Sequence, residues 1–317
     1  MTHAFSRHAL LPAALALLSL SAQAVDCGMN PAFRQKDGNA KGGTTAVWAA
    51  PDQGTLLFVE GLNVNTDGTR RSYSVDDFWG ETKALNNLCN AMRDGCAGLD
   101  AAGKRARRIA TQKAAAAGWP ADQLTQTRIA SAIIPFRHGK PCPAVDGFLV
   151  SATALARPHI DDQCDIANYL DALTVPAIVL PKNPAKGVPS EFARRNARIG
   201  DLVVTLVPGA AAPVYAVVGD TGPADELGEG SIALNGKLLG KTRPPANYQE
   251  VRGKGPYAGR GWTVPKAAVL IFPGSRDEAE PFMGVDRIDA AARQRFDAWG
   301  GVERLNACIA AYPQNAK

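Results

Sequence analysis

The stretch from Val214 to Asn235, VYAVVGDTGPADELGEGSIALN, constrains this chain more than any other. It opens on an apolar, β-branched run, Val214 to Val218, with the composition of a buried strand. The run stops at Gly219-Asp220-Thr221-Gly222-Pro223, a turn signature. Asp220 is thereby fixed at the end of a rigid element, where a reacting side chain is well positioned. Nine residues later Glu229 stands between two glycines, directly before Ser231-Ile232-Ala233-Leu234, a sequence able to open a helix. Two carboxylates on one short loop are the minimum equipment for general acid/base hydrolysis. Both also have structural uses, since Asp in Asp-Thr-Gly bonds its own backbone in turns and Glu complements a helix N-terminus.

The compartment is read from the first residues and the cysteines. Arg7 and His8 precede the apolar run Ala9 to Leu18, and Ala22-Gln23-Ala24 supplies a small-residue cleavage site. The expected leader covers residues 1–24, and one domain follows over 25–317. The apolar run is too short to span a membrane stably, and no later run approaches that length. Asp26 before Cys27 breaks the lipid-attachment pattern, so a secreted, soluble, monomeric product is expected. Its six cysteines, Cys27, Cys89, Cys96, Cys142, Cys164 and Cys308, favour three disulfides in an exported chain. Cys89 and Cys96 make a plausible local pair, but fifteen connectivities remain open. A metal is not expected, because no Cys-x-x-Cys occurs and only His138 and His159 follow the leader. No cofactor of any kind is called for.

The net charge is +5, and a basic surface often serves an anionic partner. The Lys104-Arg105-Ala106-Arg107-Arg108 run lies in an Ala-rich helical stretch and reads as a solvated helix face. No aromatics interleave with it, so neither nucleic acid nor a membrane is an expected partner. The acids gather elsewhere, at Asp67, Asp76, Asp77, Asp171, Asp220, Asp225, Glu226 and Glu229.

In chain order, residues 25–54 read as a polar tail pinned by Cys27, and Thr55 to Val59 as a first strand. Glu81 to Asp94 and Ala101 to Ala117 look helical, giving a helical insertion over about 80–145. Val175 to Leu180 is a β-branched run, and Gly200 to Val207 forms a hairpin with Val214 to Val218. Ser231 to Leu239 reads as a short helix and Lys241 to Gly261 as a long loop. Lys266 to Phe272 is a last strand, and Asp286 to Trp299 a helix. Short strands separated by Gly/Pro turns, with helices inserted, give a mainly β (α+β) fold built on a small β-barrel.

The pattern Gly-Asp-Thr-Gly-Pro followed by Gly-Glu-Gly-Ser, after Val-Tyr-Ala-Val-Val, resembles glycoside hydrolase family 75, the fungal-type endo-chitosanases. That family reads roughly Tyr-Ala-Val-Phe-Gly-Asp-Thr, then Gly-Glu-Ala-Ser. Further motifs in order are Leu62 to Gly68, Tyr169-Leu170-Asp171-Ala172, Val175 to Pro181, Gly200 to Val204 and Phe272-Pro273-Gly274-Ser275. Where the family has Met-Asp-Ile-Asp-Cys-Asp-Gly, this chain has Leu62-Asn63-Val64-Asn65-Thr66-Asp67-Gly68, so two acids have become amides. The insertion is not a regular part of that family. A strand ending in Gly-Asp-Thr-Gly and feeding a short helix also looks like double-psi barrels, including lytic transglycosylases with an Asp-Thr-Gly motif. The expected core is therefore a six-stranded, double-psi-like β-barrel, disulfide-stapled and carrying helical insertions.

The resemblance implies a secreted glycoside hydrolase cleaving a β-1,4-linked aminosugar polymer (chitosan) by inversion, with Asp220 and Glu229 as the essential pair. Asn63, Asn65, Asp67, Asp171, Thr221 and Asp225 are the candidate substrate contacts. For the Asn63–Gly68 loop and for Asp171, turn formation or capping is the competing use. Burial behind an apolar strand should raise the pKa of Asp220, as suits an acid, and a helix N-terminus should lower that of Glu229, as suits a base. The alternatives are a peptidoglycan glycosidase or lytic transglycosylase, to which the positive charge and lost loop acids point, and a non-catalytic wall-binding module.

Overall fold

The computed structural model describes Met1, residues 26–51 and residues 54–312; apart from Met1, the expected leader lies outside the described residues. The strands are β1 (Asn30–Lys36), β2 (Thr44–Ala49), β3 (Leu56–Asn65), β4 (Phe136–Arg137), β5 (Lys140–Pro141), β6 (Ala177–Pro181), β7 (Leu202–Leu206), β8 (Val214–Gly222), β9 (Glu229–Ser231) and β10 (Val264–Phe272). The helices are α1 (Ala101–Ala116), α2 (Ala121–Thr127), α3 (Glu191–Arg194), α4 (Ile232–Leu238), α5 (Tyr248–Val251), α6 (Val285–Trp299) and α7 (Gly301–Ala311). In the sheet, β3, β10, β7, β8, β6 and β9 follow one another, and β9 pairs back onto β3 to close a six-stranded barrel. The β3–β9 and β6–β8 junctions are parallel and the other four antiparallel. The barrel, its helical additions and three disulfides are the architecture that the strand and turn pattern predicts.

Alternation along the strands sorts side chains between two cores. Leu56, Phe58, Ile178, Val203, Ala216, Val218, Val269 and Ile271 meet in one cluster, the barrel interior. Their neighbours Leu57, Val59, Ala177, Val204, Val217, Ala268 and Leu270 face outward into a second cluster, shared with α6 and α7. On α6, Ile288, Ala292, Phe296 and Trp299 form one buried stripe, and the Trp299 indole N–H donates to Thr55 Oγ1 at 3.1 Å. Each large apolar side chain buried this way contributes about 1.5–3 kcal/mol. A third, smaller core around Tyr73, Phe78, Leu88, Met92 and Ile134 holds the insertion together.

Several stretches depart from the sequence reading: Asn63 to Asn65, expected in a loop, continue β3, and the expected long loop Lys241 to Gly261 contains α5. Glu81 to Asp94 is not an α-helix; only Leu88–Ala91 forms a 3-10 turn. The Asp77 carboxylate accepts the backbone N–H groups of Glu81, Thr82, Lys83 and Ala84, which folds the segment around one acid instead of along an axis. Those donors hold Asp77 below the usual carboxylate range, although its partial burial works the other way. The expected tail over residues 25–54 contains the β1–β2 hairpin, which adds to the Leu56–Leu57 end of β3. Asp220-Thr221-Gly222 continues β8 instead of turning. By contrast, α1 begins where Asp100 accepts from Gly103 N at 2.7 Å, and α4 follows the N-cap Ser231 as its sequence predicts.

Cys89–Cys96 forms as expected, and the remaining pairs are Cys142–Cys164 and Cys27–Cys308. The last links positions 281 residues apart and joins the hairpin's approach to α7. Replacing Cys27 and Cys308 together by alanine should lower unfolding free energy by about 2–5 kcal/mol, measured by urea titration. The same change at Cys89 and Cys96, which close a loop of 7 residues, should cost less.

Candidate active site

The site begins with an irregularity in β8. Ile178 pairs with Val218, but the next residue of β6, Val179, pairs with Asp220, so Gly219 is an extra residue in the ladder. Ala216 and Val218 point into the barrel. Without the bulge Asp220 would follow them inward; with it, Asp220 joins the outward face of Ala177 and Val179. Val179 also pairs with Glu229 on its other side, and Glu229 with Asn63. Asp220, Val179, Glu229 and Asn63 therefore stand abreast on the barrel's outer wall. Asp220 and Glu229 are two strand spacings apart, about 9–10 Å between Cα atoms. Their carboxyls can meet the roughly 6.5–9.5 Å separation of an inverting pair.

Each glycine beside Glu229 has a packing reason. Gly228 has φ +82°, and a Cβ there would lie 2.3 Å from the Gly61 carbonyl oxygen. A Cβ at Gly230 would lie 2.4 Å from Asn235 Oδ1. Asn235 is buried and its amide nitrogen lies 3.0–3.1 Å from the carbonyl oxygens of Leu62, Asn63 and Trp262, locking α4 onto β3. Ser231 accepts from Ala177 N and Leu234 N and donates to Val175 O. The loop before Glu229 is held by the unexpected hairpin. Gly38 N donates to Asp225 O, Leu227 N to Asp37 Oδ1, and the Gln35 amide to Ala224 O.

Asp220 is anchored by three donors. Its Oδ1 accepts from Ala154 N at 3.0 Å and Thr221 N at 2.8 Å, and its Oδ2 from the Asn65 amide at 3.4 Å. Burial pushes its pKa up, and these donors oppose the shift. The Glu229 carboxyl accepts no hydrogen bond among the described residues. Burial, with Glu226, Asp67 and Asp220 nearby, pushes its pKa to about 7. The expected lowering by a helix N-terminus does not occur. Glu229 lies in β9, before the N-cap, and Ser231 itself serves α4 by accepting from Leu234 N.

A third acid completes the group. Asp67 follows β3 in the Thr66-Asp67-Gly68 turn, where its N–H donates to Asn65 Oδ1 at 2.7 Å. Its Oδ1 accepts from Tyr73 Oη at 2.7 Å and Ser151 Oγ at 3.1 Å. Tyr73 Oη in turn accepts from the Asn86 amide at 3.2 Å. Burial and the charge of Asp220 push Asp67 to about 7, against the two hydroxyl donors. Asn65 thus links two acids, its carbonyl holding the Asp67 backbone and its amide the Asp220 carboxylate. Among the described residues no group of three or more His, Cys, Asp or Glu is arranged to hold a metal ion.

The other candidates separate. Asn63 stands beside Glu229 in register, and Thr221 contributes its backbone N–H to Asp220. Asp171 gives its carboxylate to its own turn, accepting from Leu173 N and Thr174 Oγ1. Asp225 pairs with Lys36 at 3.5 Å on the exposed edge of the loop; Glu226 is the loop acid whose charge acts on Glu229. Tyr73, Asn86, Ser151 and the Ala154 N–H are partners that no local motif announces. Only the acidic run containing Glu226 carried a signal.

Burial raises two carboxyls that ordinarily ionise near pH 4 to about 7, Glu229 with no donor on it and Asp67 against its two hydroxyl donors. A carboxyl raised in the folded state contributes stability below its unfolded pKa and loses it as pH rises through the folded value. Asp67→Asn and Glu229→Gln should therefore each gain stability relative to wild type as pH rises from 4 to 8. The gain should be on the order of 1 kcal/mol after solvent screening, and thermal melts across that pH range measure it.

Comparison with protein-family models and with curated proteins finds no match to this chain.

Proposed function

We propose that the protein hydrolyses a β-1,4-linked aminosugar polymer, with Asp220 and Glu229 as the acid/base pair on the outer wall of the barrel. The observation that carries this reading is the placement of both acids level with Val179 in unequal surroundings. Glu229, without donors and raised to about 7, is the carboxyl that keeps its proton and delivers it to the glycosidic oxygen. Asp220, held by two backbone N–H groups and Asn65, is the carboxylate that activates water. This ordering reverses the one read from sequence, where the helix end was expected to ionise Glu229. A group of three acids also suits a cationic glucosamine unit, which favours chitosan. Resemblance to the fungal-type chitosanases and the three disulfides support an exported hydrolase of this kind.

A second reading, a cell-wall glycan as substrate, has its own observation. Lys182, Lys186 and Arg198 line a cavity of about 680 Å³ that reaches Thr221, the neighbour of Asp220. None of the three forms an ion pair among the described residues. Cations beside the acids suit a polymer that also carries negative charge.

The test is product analysis by mass spectrometry, with purified protein on partially acetylated chitosan and, separately, on peptidoglycan. Chito-oligosaccharides are the expected product, and Asp220→Asn and Glu229→Gln should each lose about 10²–10⁴-fold in rate. Muropeptides in their place would move the substrate to the wall, with anhydro ends marking a transglycosylase. No product from either polymer would leave a binding module. The rate should fall as pH rises through about 7, where Glu229 loses its proton, and a pH–rate profile of kcat/KM reads that limb.

A further inference from the structure

Away from the acids, a pocket of about 350 Å³ opens between the turn closed by Cys89–Cys96, the first turn of α1 and α5. Its aromatic lining is Trp79 and Tyr248. Trp79 is set edge-on against Phe78 at 4.6 Å between ring centres. Tyr248 is fixed through its backbone N–H, which donates to the carbonyls of Gly80 at 3.0 Å and Ala84 at 2.8 Å. The walls are therefore rigid, as a preorganised binding site requires.

The polar lining is unspent. The side-chain amides of Asn87 and Gln249, and the Tyr248 hydroxyl, make no hydrogen bond among the described residues. Lys104, Arg252 and Lys254 also line the pocket and form no ion pair there, whereas Glu81 is its one acid. An aromatic face takes the C–H face of a pyranose, and free amides take its hydroxyl or acetamido groups. An excess of cations takes a carboxylate. The pocket also adjoins the acid group through the chain itself. Asn86 donates to Tyr73, which donates to Asp67, and the next residue, Asn87, lines the pocket.

We propose that this pocket binds a sugar unit bearing a carboxylate, the outlying unit of a polymer cleaved at Asp220 and Glu229. The inference rests on the glycosidase reading in its second form, a cell-wall glycan, since chitosan carries no carboxylate, and deepens it by naming an acidic aminosugar as the unit recognised. Trp79 supplies the platform, Asn87 and Gln249 the polar contacts, and Arg252, Lys254 and Lys104 the charge.

The test is calorimetric titration with two disaccharides that differ in one carboxylate. The acidic probe is N-acetylglucosaminyl-N-acetylmuramic acid, and the neutral probe is diacetylchitobiose. Exposed charge pairs contribute a few tenths to 1 kcal/mol each, so the acidic probe should bind about tenfold tighter. Trp79→Ala should abolish binding of both, while Trp79→Phe keeps it. The double change Arg252→Glu with Lys254→Glu should erase the preference without lowering the melting temperature. Glu229→Gln should bind like wild type, because the pocket is separate from the acids. Equal affinity for the two probes would overturn the proposal, as would binding that survives Trp79→Ala or disappears in Glu229→Gln. Tight acidic binding in a protein that cleaves no polymer would keep the pocket and remove only the glycosidase reading.

Discussion

The site depends on one extra residue in a ladder. Side chains of a strand alternate between two faces, so inserting Gly219 exchanges the faces of everything after it. Before the bulge β8 sends Ala216 and Val218 into the barrel; after it, Asp220 stands outside beside Val179. An ionised carboxylate among Ile178, Val203 and Val269 would be prohibitively costly. On the outer wall the same residue finds Ala154 N, Thr221 N and Asn65. The side of Gly219 itself is crowded, since a Cβ there would fall 2.8 Å from that of Ala177. The barrel provides rigidity, and the bulge decides which surface carries Asp220.

Much of this was legible in the sequence. Aliphatic runs such as Val175 to Leu180 and Val214 to Val218 mark barrel strands, and Ser231 marks a helix start because its side chain caps it. What sequence could not show were contacts closed by tertiary structure. Asp77 collects four N–H groups and overrides the helical composition of Glu81 to Asp94. Asp37 and Gln35 in the supposed tail hold the loop leading to Glu229 across about 190 residues. Asp220-Thr221-Gly222 has turn composition, yet pairing with β6 extends it as a strand. The acid/base order proposed for the pair differs from the sequence reading for the same reason, because a pKa is set by whatever lies around the carboxyl in space.

Charge is distributed in opposition to the total. The chain is basic overall, yet acids gather at the site: the charge of Asp220 helps raise Asp67, and those of Glu226, Asp67 and Asp220 help raise Glu229. Cations line two separate cavities, Lys182, Lys186 and Arg198 in one and Lys104, Arg252 and Lys254 in the other. Under the proposed function, a polymer laid over this surface would meet carboxyls at the bond to be cleaved and cations at flanking units. Such alternation selects register along a chain as well as the identity of each unit.

The cysteine spacing carries a consequence for biogenesis. Cys27 is made 281 residues before its partner Cys308, so its thiol must wait for all of that stretch. At roughly 5–20 residues per second that wait approaches a minute at the slow end. Four other cysteines emerge meanwhile, each a potential wrong partner. Loop closure discriminates among them: Cys89 meets Cys96 across 7 residues, against about 60 to Cys27, roughly a 25-fold advantage in encounter. Cys142 and Cys164, 22 residues apart, are matched in the same way. Short loops that close first would leave Cys27 and Cys308 as the last free pair, so the longest staple would form without competitors.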